Sequence, residues 1–184
     1  MTGAGESIAE YLTTRSVVVE PYTGAVSIPV LPGWSEAAPD QFPGAAQVVA
    51  CPASTSAGFT ANAVLSQARL DGHFDVFDLL SCAFVDSRRL PFWCDIVTSR
   101  APFGRAPSAF IRGTYVAGDW NLDVTTRYVI TGNPADTWLT QLTVTTLADR
   151  GDELEADVAA LNRGLRFRGQ ARVSAARGLA DLDR

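Results

Sequence analysis

The stretch Val26-Ser-Ile-Pro-Val-Leu-Pro-Gly-Trp34, taken with the residues before it, constrains this chain more than any other. A short amphipathic helix is expected from Ser7 to Thr14, with Ile8, Tyr11 and Leu12 on one face and Ser7 placed to cap it. A β-branched strand follows from Ser16 to Glu20, then a turn at Tyr22-Thr-Gly24. A second strand, Ala25 to Leu31, ends at Pro32-Gly33, which cannot continue it.

Beyond this opening, residues 35–43 read as a proline-bearing loop, and Ala45–Cys51 as a short apolar strand. Phe59–Leu70 is a longer strand, with Phe59, Ala61, Ala63 and Leu65 alternating onto one face. One helix is expected from His73 to about Arg88, its stripe made by Phe74, Phe77, Leu80, Ala83 and Phe84 and its first turns carrying Asp75 and Asp78. Four antiparallel strands follow: Phe92–Thr98, Ser108–Ala117, Trp120–Thr131 and Thr137–Leu147. Gly118-Asp119 and Gly132–Asp136 supply hairpin turns. Leu122, Val124, Tyr128 and Ile130 fall on one face, against Asp123, Thr125 and Arg127 on the other, which suggests a sheet covered in part. A last helix, Gly151–Arg163, aligns Leu154, Val158 and Leu161 and stops at Gly164; Leu165–Arg168 adds a short edge strand.

At 184 residues the chain fits one domain, 7–168, between a loose N-terminus (1–6) and a basic, disordered tail (169–184). A chain this long buries about 70% of its unfolded surface and needs neither metal nor disulfide staples. Every basic side chain other than His73 is Arg; the absence of Lys, with abundant Ala, Gly and Val, suggests a GC-rich actinobacterial source. Of the net charge of −5, residues 163–184 carry +4, leaving −9 on the rest. An acidic body excludes a nucleic-acid surface, which needs clustered cations on the fold. Cys51, Cys82 and Cys94 are odd in number and lack a Cys-x-x-Cys pair, which favours reduced thiols. A Cys51–Cys94 bridge would require neighbouring strands. No transmembrane run and no signal-peptide core occurs, so the chain as it stands reads as cytoplasmic, or as the mature part of a longer precursor belonging to the cell envelope.

Five segments together carry a family resemblance: Ile8-Ala-Glu-Tyr11, Val18-Val-Glu-Pro21, Ile28-Pro-Val-Leu-Pro-Gly-Trp34, Leu90-Pro-Phe92 and Gly113-Thr-Tyr115. In their order the chain resembles the actinobacterial LpqN/LpqT lipoprotein family, over roughly residues 7–168. The resemblance implies a PsbP-like α/β/α sandwich, an antiparallel sheet with helices on both faces. It also implies a non-enzymatic role at the cell envelope, handling a lipid or glycolipid or contacting a protein partner. One departure is the lack of a lipobox: the first cysteine is Cys51, within a strand.

Catalytic chemistry finds little to work with. His73 is the single histidine, with only Asp71 and Asp75 nearby in sequence and no Gly-x-Ser-x-Gly elbow, which argues against both a metal centre and a hydrolase. Pro102-Phe-Gly-Arg105 lacks the neighbouring glycines of a phosphate loop. The acidic run Asp149, Asp152, Glu153, Glu155 and Asp157 reads as a solvated helix start, with Glu153 and Asp157 outermost. No cofactor is expected. The residual interest lies in Trp34, Trp93, Phe103 and Trp120, at strand ends or in loops, where they could line an apolar cleft. Arg100 and Arg105 flank Phe103 and could present cations to an acidic or sugar-bearing ligand. Two functions fit: binding of an amphipathic lipid or glycolipid, expected to show a connected cleft under Trp34, Trp93 and Phe103, or protein interaction and assembly without a small ligand, expected to show an exposed apolar patch.

Overall fold

A computed structural model of the chain describes residues 5–133 and 136–167. The expected disordered tail (169–184), residues 1–4 and Pro134-Ala135 of the second hairpin turn lie outside the described residues. In chain order the elements are α1 (Ile8–Thr14), β1 (Val18–Pro21), β2 (Val26–Ser27), β3 (Ser35–Glu36), β4 (Gln47–Ala50), β5 (Asn62–Asp71), α2 (Val76–Ser81), α3 (Val85–Arg88), β6 (Cys94–Ser99), β7 (Ser108–Ala117), β8 (Trp120–Asn133), β9 (Asp136–Leu147), α4 (Gly151–Arg163) and β10 (Arg166–Phe167).

Thr, Val and Ile are frequent in β8 and β9, residues that pack well on a pleated surface, and with β7 these strands form an antiparallel meander. The eight-stranded sheet runs β3-β4-β5-β9-β8-β7-β6, and β1 pairs with the second half of β5, beyond β4. All pairings are antiparallel. Helices lie on both faces. On one, α1, α2 and α3 close a core around Leu12, Leu79, Phe84, Ile111 and Ile130. On the other, α4 and residues 26–34 close a core around Trp34, Leu65, Leu142, Val144 and Leu161. The expected two-face alternation of β8 is present in the register, but cover is not partial at the centre. Val129 and Thr140 are fully buried on the α4 face, and Ile130 is 1% exposed on the α1 face.

Two expected elements differ. The strand Ala25–Leu31 shrinks to Val26–Ser27, paired with β10 in a separate ladder. Pro29 has no N–H to donate, and the Ile28 N–H is taken by Gln47 Oε1 at 2.8 Å, so the ladder stops. The segment then closes in a turn in which Trp34 N donates to Leu31 O at 2.9 Å and Gly33 takes φ +82°, a left-handed value that suits glycine. The single helix His73–Arg88 is two short helices. Asp75 caps α2 by accepting from the N–H groups of Phe77 and Asp78, so the helix starts at Val76 and turns Phe77 outward, where it is 75% exposed. Tight turns through Cys82–Phe84 then redirect the chain into α3. Gly164 does end α4, but with φ −80° and not by a left-handed cap; a Cβ there would meet the ring of Pro29.

Candidate functional site

α1 is only seven residues long, and it covers only part of its sheet face. Its Ser7–Glu10 capping box fixes its start, and Tyr11 ties it to α2 by sharing hydrogen bonds with the backbone of Asp75. Beside it an open groove of about 470 Å³ remains, within the size range of small-ligand sites. Ile8, Leu12, Val17 and Val19 form one wall and Ala68 and Leu139 the apolar part of the floor. Ser66, Gln141 and Tyr128 add polar groups, with Asp86 of α3 contributing from an exposed position.

Tyr128 is 4% exposed, and burial together with the charge of Asp86 pushes its phenol up to about 12, so it remains a neutral hydroxyl. Partial desolvation raises the Asp86 carboxyl, against the opposing pull of Arg89. Among the described residues neither side chain forms a hydrogen bond or salt bridge, and the Tyr128 hydroxyl is not a buried unsatisfied group, so it is open to the groove. An apolar trough that also presents a hydroxyl and a carboxyl has the chemistry to hold an amphipathic molecule.

The residues singled out in the sequence lie elsewhere and do not share one cleft. Trp34 belongs to the α4 face, 6% exposed, its indole donating to Asp157 Oδ2 at 2.9 Å. Asp157 is therefore a half-buried acceptor and not an outward-facing charge. Trp93 packs on the α1-face core, with its ring against Gly113 and its N–H donated to Asp95 at 2.7 Å. Trp120 donates to Ala57 O at 2.8 Å and sits 5.7 Å from the Phe59 ring. Arg100 donates to the carbonyls of Leu80 and Ser81 at the end of α2 and lies over Phe84. Phe103 is on the α4 face, edge-on to Phe167, and Arg105 is exposed in the turn between Phe103 and Ala106. Because the sheet separates Trp93 from Trp34 and Phe103, the expected cleft beneath all three is absent.

Reading the sequence missed Tyr128 and Asp86. Tyr128 sat in a regular alternation as a core residue; its signal was the hydroxyl, a polar tip sent inward. His73 lines a smaller hollow of about 270 Å³ with Phe74 and Pro107. Among the described residues no group of three or more His, Cys, Asp or Glu could hold a metal ion. Glu153 and Glu155 of the acidic run are paired with Arg150 and Arg112.

An antiparallel sheet with helices on both faces defines a PsbP-like α/β/α fold. The solution structure of cyanobacterial PsbP from Synechocystis sp. PCC 6803 superposes with a TM-score of 0.54 at 12% identity, over 81% of this chain and 92% of that one. The crystal structure of LpqN, involved in cell envelope biogenesis of Mycobacterium tuberculosis, superposes with a TM-score of 0.79 at 17% identity, over 90% of this chain and 99% of that one. The sequence model of the family described as "Probable lipoprotein LpqN" matches residues 4–167, and the chain belongs to that family. The proline-rich 28 kDa antigen of M. tuberculosis (strain ATCC 25618 / H37Rv) is 35% identical over 121 residues, 66% of this chain and 39% of the antigen, so the chain spans well under half of that relative's length.

Proposed function

We propose that this protein binds an amphipathic lipid or glycolipid at the cell envelope, in the groove between α1 and the sheet. The observation that carries this reading is the apolar trough that ends in the unpartnered Tyr128 hydroxyl and Asp86 carboxyl. Acyl chains would lie against Leu12, Val19 and Leu139, and hydroxyls of the head group would reach Tyr128 and Asp86. Family membership and the envelope role stated for LpqN support the location. Native mass spectrometry of protein from its own host, followed by titration with a trehalose-type glycolipid, tests it. A bound lipid, lost on Ala9→Phe at the groove wall, is the expected result. No bound lipid and no response to titration would remove the reading.

A second reading, protein interaction without a small ligand, is favoured by the opposite edge of the sheet. Among the described residues no strand pairs with the outer side of β6, and Phe92 before it and Ile96 and Val97 within it are 84%, 52% and 49% exposed. Such an edge accepts a partner's strand. Binding of an envelope protein that Ile96→Lys abolishes, with lipid binding intact, would put this reading first.

A further inference from the structure

Arg127 is the one described arginine that is half-buried without a carboxylate or carbonyl partner. Six others pair with acids, among them Arg69, Arg89 and Arg112, while Arg100 and Arg166 donate to carbonyls. Arg127 projects from β8 on the α4 face, directly opposite Phe110 of β7. Its guanidinium lies 4.7 Å from the Phe110 ring centre and 5.1 Å from that of Phe103. The buried Nε has no hydrogen-bond partner. Two residues from Phe110, on the same face, the Ser108 hydroxyl is also buried and unpartnered. A desolvated cation with a free fork edge, near a second unmet donor, lacks only an acceptor. Arg105 adds an exposed cation on the turn that carries Phe103.

We propose that Arg127, held by Phe103 and Phe110, is a binding site for an oxyanion, a phosphate or sulfate group, on the sheet face opposite the groove. A guanidinium held over aromatic rings keeps its N–H groups for the paired, charge-assisted bonds that oxyanions accept. The group could belong to a free ion or to an anionic lipid head. The inference does not rest on the lipid reading, because no residue of this site lines the groove.

The test follows the side-chain Nε–H resonance of Arg127 in the intact protein, titrated with sodium phosphate against sodium chloride at matched ionic strength. A parallel arm measures flotation with phosphatidylglycerol vesicles against phosphatidylcholine vesicles. A saturable phosphate-specific shift identifies a free oxyanion; flotation with phosphatidylglycerol alone identifies a lipid head; either supports the proposal if Arg127→Met, followed through the backbone amide resonances of Phe103 and Phe110, weakens it about tenfold or more. The thermal midpoint of Arg127→Met without anion should hold or rise, since an unpaired buried charge is removed. A lowered midpoint with no anion response in either arm would make Arg127 a packing residue and overturn the proposal. If Arg127→Met does not fold, Arg127→Lys and Ser108→Ala replace it, with the same tenfold criterion, and an unchanged wild-type Arg127 resonance together with no flotation overturns the proposal alone.

Discussion

Single side chains set the acid behaviour of this fold. The Arg89 guanidinium, then the Ser7 N–H, hold Glu10 down from 4.5 to about 2. Since the folded value lies below the unfolded one, the contribution is complete above pH 4.5 and fades as pH falls toward 2. The thermal midpoint should drop across that window, and Glu10→Gln should flatten the drop. Glu10 also closes the capping box, so the variant should lower the midpoint at neutral pH as well. Trp34→Phe should cost about 1.5–3 kcal/mol in denaturant titration, since it strips Asp157 of a donor in a part-buried site. Residues at this scale were legible as types and not as roles. Trp34, Trp93, Trp120 and Arg100 stood out because of their chemistry, yet each spends its polar atoms on nearby structure. Tyr128 and Asp86 hid because the groove is built from α1, α3, β1, β5, β8 and β9, segments whose meeting no local pattern encodes.

Among elements, α1 is the least secured wall of the groove. Isolated helices this short are unstable, so α1 depends on Ile8, Tyr11 and Leu12 buried against the sheet and α2. Leu12→Ala should destabilise the protein by about 2–5 kcal/mol in denaturant titration. Amide exchange should be faster in α1 than in β8 and β9, and bound ligand should slow it. The strands β5 and β7–β9 were legible because alternation and β-branched residues agree along each of them. The helix expected over 73–88 failed because a cap at Asp75 shifts the helical phase, and periodicity does not report phase. The strand expected over 25–31 failed because its apolar residues follow a β pattern while its prolines deny the ladder.

For the whole molecule, the strand order decides the cysteine question. Cys51 follows β4 and Cys94 opens β6, five strand spacings apart, about 24 Å, and all three thiols are free. A Cys51–Cys94 bridge is excluded by that distance. Reductant should leave the unfolding midpoint unchanged, and a thiol reagent should label Cys94 in the native state, with Cys51 and Cys82 following only on unfolding.

Two cores that meet only through the backbone of one sheet also bear on how such a protein can change. Side chains on opposite faces share no neighbours, so substitutions on one face should combine additively with those on the other. The α1 side can then change its packing while the α4 side keeps its own. A lineage of such chains can reshape one face of the sheet without rebuilding the other.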